Sequence, residues 1–215
     1  MWSSIKPFGR SGVLIEWPQI IQTSTLSEIS ALRKVIQSKQ IKGIVDIVSG
    51  YASMTVLYMP EAISYAQILE IIEIAKEESI ESAQEEGKVW EISVKYNKSQ
   101  DKDIALVMSH VGLSRNEIVD LHTSVLYDVY FIGFLPGFLY LGGLDEKLHI
   151  PRKKVPDLKI PAGSVAIGGT QTGIYPQESP GGWYVIGDTN FKVIDFYTPP
   201  FCKVKPGDKV KFNAI

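Results

Sequence analysis

The chain has 215 residues, 22 Lys and Arg against 24 Asp and Glu, a formal net charge of −2 and 45% hydrophobic residues. That composition excludes a disordered or collagen-like chain and argues against a nucleic-acid binder, which carries a basic excess. One cysteine, Cys202, permits no intrachain disulfide, residues 1–10 lack the apolar core of a signal peptide, and no apolar run reaches the ~18 residues of a membrane span, so a cytoplasmic protein is expected.

In chain order, Gly12–Trp17 is a short apolar run that reads as a strand. Ser24–Ser38 places Leu26, Ile29, Leu32, Val35 and Ile36 at helical spacing, with Ser24 or Thr25 as cap and Glu28 completing a capping box. Gly43–Val48 and Met54–Met59 read as strands joined by the hairpin turn Ser49–Ala52. Ser64–Ser79 is a second helix with Ile68, Leu69, Ile71, Ile72 and Ala75 inward and Glu70, Glu73, Glu77 and Glu78 on a solvated face. Val89–Tyr96 alternates Trp90, Ile92, Val94 and Tyr96 with polar residues, as a half-buried strand does.

The order β-α-β-β-α-β predicts a ferredoxin-like α/β domain over residues 1–97. Two helices follow, Asp103–His110 and Ser114–His122, the second opened by a Ser114/Glu117 capping box. They predict a helical connector over residues 98–124. From there the texture changes. Residues 1–122 hold 6 Gly and 3 Pro, whereas residues 123–215 hold 12 and 9. Tyr127–Phe134, Ser164–Ile167, Trp183–Ile186, Phe191–Phe196 and Lys209–Phe212 read as short strands between Gly/Pro turns, with Pro206-Gly207-Asp208 leading into the last. Residues 125–215 are therefore expected to form a β-sandwich or barrel, and the whole chain to be α+β.

Most catalytic signatures are absent from the sequence. There is no G-x-x-x-x-G-K-S/T phosphate loop, no G-x-S-x-G nucleophile elbow and no Cys/His cluster for zinc. Gly168–Gly173 is glycine-rich, but it reads as a tight turn rather than a nucleotide loop. Among His110, His122 and His149, His122 is the candidate acid/base, because it ends a helix where the composition changes. Arg152-Lys153-Lys154 is either a solvated loop or an anion clamp in which Arg152 supplies a planar fork. The densest feature runs from Pro161-Ala162-Gly163-Ser164 through Gln171–Pro176 to Ser179-Pro180-Gly181-Gly182-Trp183. Glycines for close approach, stiffening prolines, hydroxyls, an amide and two aromatic rings together make the rim of a small-molecule pocket.

Gly133-Phe134-x-Pro136-Gly137-Phe138-x-Tyr140-Leu141-Gly142-Gly143-Leu144 resembles the family of allophanate hydrolase subunit 1, the kinase inhibitor KipI and the 5-oxoprolinase component PxpB. Pro151-Arg152, Pro161–Val165, Gln171–Pro176 and Ser179–Trp183 continue the resemblance, and Lys6–Gly9, Gly50-Tyr51 and Glu117–His122 extend it over essentially the whole chain. The family has Gly-Asp near its start, where this chain reads Gly9-Arg10. The resemblance implies a C-terminal cyclophilin-like β-barrel. It also implies the B component of an enzyme that acts with subunits A and C, and with ATP and magnesium, to open 5-oxo-L-proline to L-glutamate. The substrate-binding candidates are Arg152, Gly163, Ser164, Gln171, Tyr175, Ser179, Gly182 and Trp183. The alternatives it leaves open are an inhibitor of histidine kinase autophosphorylation, with the kinase as partner, and an allophanate hydrolase or urea carboxylase-like carboxyltransferase subunit.

Overall fold

A computed structural model describes residues 2–19, 22–81, 87–96 and 101–215. The chain divides into two compact units, Met1–Glu86 and Gly87–Ile215.

The first unit contains β1 (Ser4–Pro7), β2 (Gly12–Glu16), α1 (Thr23–Ser38), β3 (Ile44–Ser49), β4 (Ser53–Tyr58) and α2 (Tyr65–Glu81). Its four strands form one antiparallel sheet in the order β1-β2-β4-β3. The period-two pattern of β4 turns Met54, Val56 and Tyr58 inward. They meet Ile29, Leu32 and Ile36 of α1 and Ile68 and Ile72 of α2 in a single core. Each fully buried Ile there contributes roughly 1.5–3 kcal/mol of transfer free energy. Glu70, Glu73, Glu77 and Glu78 are exposed, as their spacing predicts.

Two expectations change here. The capping box at the start of α1 is not formed. The helix begins at Thr23 without a side-chain cap, and the Glu28 carboxylate instead accepts a 2.8 Å hydrogen bond from Trp17 Nε1. The ferredoxin-like order requires a strand after α2 to complete this sheet. The position beside β2 is taken by β1, a short, mostly polar edge strand whose sequence gives no apolar run to detect.

The expected closing strand, β5 (Val89–Val94), belongs to the second unit. It pairs in parallel with β13 (Lys209–Ala214), in register from Val89↔Lys209 to Val94↔Ala214. Asp208 fixes this pairing. Its carboxylate accepts from Trp90 Nε1 at 2.9 Å, from Lys88 N at 3.1 Å and from Lys205 N at 2.9 Å.

The remaining strands are β6 (Leu126–Ile132), β7 (Leu139–Gly142), β8 (Asp157–Ile160), β9 (Ser164–Gly168), β10 (Gln171–Ile174), β11 (Ser179–Gly181) and β12 (Tyr184–Asp188). Seven strands form one sheet in the order β12-β9-β10-β7-β6-β13-β5. Its two edges meet: Lys95 N–H donates to Asp188 O at 2.8 Å and Asp188 N–H to Lys95 O at 3.0 Å, so the sheet curls back upon itself. Val129, Leu139, Leu141, Val165, Ile167, Ile174, Ile186 and Phe212 fill its interior.

The helices expected as a connector, α3 (Asp101–Val111) and α4 (Arg115–Ser124), add Ile104, Val107 and Ile118 to the same core. The Ser114/Glu117 capping box is present. Phe191–Phe196 is irregular rather than a strand, with one bridge at Ile194↔Cys202.

Candidate functional site

Alternation along the strands gives the curled sheet a second apolar face. In β7, Leu139 and Leu141 point inward while Phe138 and Tyr140 flank them on the outer side. Phe138, Ala166, Tyr175, Trp183, Val185 and Ile160 form a separate outer cluster, with Leu135 and Tyr140 packed against it. Its rings meet mostly edge to face. Phe138 lies 4.8 Å from Tyr175 and 5.6 Å from Trp183, and Tyr140 lies 5.7 Å from Trp183 and stacks on Phe131 at 4.2 Å. The two-stranded ribbon β8–β11 lies beside this cluster and contributes Ile160 to it.

The segment 150–153 crosses the outer face. Ile150 bridges to Gly169, and Lys153 N–H donates to Gly182 O at 2.8 Å. Between these anchors Arg152 is exposed, and its positive charge bears on both the Tyr140 and Tyr175 phenols. Burial pushes the Tyr175 hydroxyl up to about 12, with Arg152 opposing the rise. Tyr140 is raised for the same reason against the same opposing charge.

Lys153 is not part of an anion clamp. Its ammonium donates to both Asp103 oxygens at 2.8 and 2.7 Å and also pairs with Asp157. Burial alone would depress this amine, but the two carboxylates hold it above its ordinary value. Asp103 Oδ2 also accepts from Val185 N at 2.8 Å, so the network ties α3, the 150–153 segment, the ribbon and β12 together.

The other candidates divide. Arg152, Tyr175, Gly182 and Trp183 converge on the outer cluster. Gly163 and Ser164 hold Tyr175 by backbone hydrogen bonds of 2.7 and 2.9 Å. Among the described residues, the buried Ser179 hydroxyl on the ribbon has no hydrogen-bond partner, and the buried Nε2 of Gln171, at the far end of β10 from Tyr175, is likewise unmatched. Sequence reasoning passes over Tyr140 and Phe138 as site residues. The aromatic-aliphatic alternation Phe138-Leu139-Tyr140-Leu141 is the signal that exposes them.

His122 is placed elsewhere, inside the curled sheet. It has no exposed surface and stacks on Phe212 at 4.8 Å. Thr172 Oγ1 donates to Ala166 O at 3.0 Å, so it accepts from His122 Nε2–H at 2.8 Å. Nδ1 is then the acceptor for the Tyr96 hydroxyl at 2.7 Å. Both nitrogens are spent on a neutral ring, and burial lowers its pKa to about 3. The residue expected as acid/base is thus placed as a buried crosslink between Tyr96 and Thr172, with no exposed surface of its own.

Gly168–Gly173 is a hairpin, with Gly168 paired to Gln171. The Gly169 amide donates to Ile150 O at 2.7 Å, so that amide is engaged within the chain. Among the described residues, no group of three or more His, Cys, Asp or Glu side chains could hold a metal ion, and no helix is long and apolar enough to cross a membrane.

Residues 3–204 match the family described as carboxyltransferase domain, subdomain C and D. The B subunit of 5-oxoprolinase from Escherichia coli O157:H7 is 44% identical over 170 residues, covering 79% of this chain and 77% of that one. The protein of the same name from Bacillus subtilis (strain 168) is 33% identical over 221 residues, covering 98% and 92%. The crystal structure of TTHA0988 superposes with a TM-score of 0.84 at 32% identity, over 95% of this chain and 40% of that one. The chain thus spans about two fifths of the TTHA0988 polypeptide.

Proposed function

The chain belongs to the carboxyltransferase-domain family, subdomains C and D, and from that premise we propose that it is the B subunit of an ATP-dependent 5-oxoprolinase that opens 5-oxo-L-proline to L-glutamate. The observation that carries this reading is the name shared by the E. coli and B. subtilis relatives. The outer aromatic face with Arg152 above it adds a chemical match, because 5-oxoproline is a small ring bearing a carboxylate.

Arg152 is an exposed cation whose fork suits two carboxylate oxygens. The lactam ring then lies on half-buried Tyr140, which Phe131 backs from behind. Trp183, Phe138 and Tyr175 are 2–3% exposed and act from beneath, fixing the tilt of Tyr140 rather than touching substrate. Gly163, Ser164 and Gly182 hold that floor in place through the backbone. Ser179 adds a buried hydroxyl, unmatched among the described residues, on the ribbon beside this floor. The barrel half is read as cyclophilin-like, with no prolyl isomerase activity implied, since function lives in the site and not the fold.

ATP, with magnesium, is the co-substrate of the complex, and subunits A and C are the partners. The Gly169 amide of the Gly168–Gly173 hairpin is engaged by Ile150, and no step of ATP chemistry is assigned to this chain. The test is reconstitution. The chain is mixed with subunits A and C from the same genome, and glutamate release from 5-oxoproline is measured with and without ATP. Release requiring all three chains and ATP is expected. Full release with this chain omitted overturns the reading.

A further inference from the structure

The segment 150–153, which carries Arg152 across the outer face, is held at three points. Ile150 and Gly169 exchange both backbone hydrogen bonds, at 3.2 and 2.7 Å. Lys153 N–H donates to Gly182 O at 2.8 Å. The third hold is the Lys153 side chain. Its ammonium donates to both oxygens of Asp103 on α3 at 2.8 and 2.7 Å, pairs with Asp157 of the ribbon, and stands 5.1 Å from the centre of the Tyr184 ring. Asp103 is itself oriented from a third element, because Val185 N–H of β12 donates to its Oδ2 at 2.8 Å.

Stability alone does not call for this network. The side chains of Lys153 and Asp103 are each 9% exposed, and the desolvation of such a pair offsets most of its attraction. Apolar residues of similar size would join α3 to β12 about as well. What the ions add is direction. Apolar contact has no preferred direction, whereas an ammonium bonded to three carboxylate oxygens has one position. The residue beside this fixed point is Arg152. Its side chain is long, exposed and rich in rotamers, so its guanidinium reaches one place only as reliably as its backbone is held.

We propose that Asp103 and Lys153 are positioning residues for substrate: by pinning the backbone one residue from Arg152, they hold its guanidinium over the aromatic face where it meets the carboxylate of 5-oxoproline. The proposal rests on the 5-oxoprolinase reading above and on Arg152 as the carboxylate ligand. Neither Asp103 nor Lys153 touches substrate. Their effect passes through Arg152, so it vanishes when Arg152 is removed. It falls on binding and not on the chemical step, because the carboxylate is remote from the lactam bond that opens.

The test uses the full chain reconstituted with subunits A and C. It reads KM and kcat for 5-oxoproline in the presence of ATP, and the melting temperature of each variant. The variants are Arg152→Ala, Asp103→Asn, the pair Asp103→Leu with Lys153→Met, and Asp103→Asn combined with Arg152→Ala. Asp103→Asn is expected to raise KM about 3- to 10-fold, less than loss of Arg152 itself, as a small misplacement of a binding group does. Its kcat should stay within about twofold of the native value. The apolar pair should recover part of the lost melting temperature and none of the KM. In the Arg152→Ala background, Asp103→Asn should change KM by less than about twofold, since the two residues act as one unit. A native KM in Asp103→Asn and in the apolar pair overturns the positioning role and leaves the 5-oxoprolinase reading standing. So does a KM that recovers in step with the melting temperature, or an Asp103→Asn effect that persists in full without Arg152. An unaltered KM in Arg152→Ala removes the carboxylate ligand and this proposal with it. No ATP-dependent glutamate release by the three native chains overturns the reading and the proposal together.

Discussion

The indole of Trp183 lies against the backbone of Gly168. A Cβ added at that glycine would stand 2.6 Å from the indole Cδ1. Gly173 on the neighbouring strand is equally closed, with 2.5 Å to Leu139 O and 3.1 Å to Trp183 Cζ3. Glycine inside a strand normally weakens it, but here it gives the ring room to lie flat. Gly168→Ala is expected to destabilise the protein by about 1–3 kcal/mol through overpacking. The readouts are a lower denaturant midpoint and a shift in tryptophan emission. An unchanged midpoint would show that the ring does not depend on this bed.

Lys153 and Asp103 are each 9% exposed at the side chain and share two hydrogen bonds. Removing Asp103 takes away two hydrogen bonds of the ammonium and the acceptor of Val185 N–H, while Asp157 still pairs with Lys153. Asp103→Ala is expected to cost about 1–3 kcal/mol. The double variant Asp103→Leu with Lys153→Met is expected to cost clearly less than the sum of its single changes. Chemical denaturation of the four proteins completes the cycle, and additive costs would contradict the coupling.

The buried imidazole of His122 makes stability depend on pH. In the unfolded chain the ring takes a proton below its ordinary 6.5, whereas in the folded chain it does so only near 3. Its contribution is therefore complete above pH 6.5 and is lost as pH falls from there toward 3. The slope approaches about 1.4 kcal/mol per pH unit. Denaturant midpoints between pH 6.5 and 5, where carboxylates stay ionised, isolate the effect. His122→Gln is expected to be less stable at neutral pH and flatter across that window. Parallel curves for the two proteins would exclude His122 as the cause.

Arg152 is exposed and has no structural duty in the ion network beside it. In the reconstituted complex, Arg152→Ala is expected to raise the KM for 5-oxoproline about 10- to 100-fold, as loss of a charged hydrogen bond does. The melting temperature should not change. Arg152→Lys keeps the charge without the fork and should recover only part of the loss. An unaltered KM in both variants would place the carboxylate elsewhere.

Features with local causes are legible in the order of residues alone. Helices α1 and α2 follow from apolar residues spaced three and four apart, and the cap of α4 from Ser114 and Glu117 within one turn. The change of texture after residue 122 and the aromatic-aliphatic alternation of β7 are equally plain there. Which strand pairs with which is settled by tertiary structure. Val89–Val94 reads as a good strand in either unit, and its register with Lys209–Ala214 and the Asp208 bonds to Trp90 and Lys88 assign it to the second. The same holds for charge. Arg152 and Lys153 are neighbours in a basic run, yet Asp103, fifty positions away from Lys153, neutralises one and leaves the other facing solvent. His122 reads as a catalyst at a helix end and is a core crosslink, because Tyr96 and Thr172 arrive from distant parts of the chain to occupy both nitrogens. Local periodicity carries no information about such partners, since they are chosen by burial and by hydrogen bonds that form only once the sheet has closed.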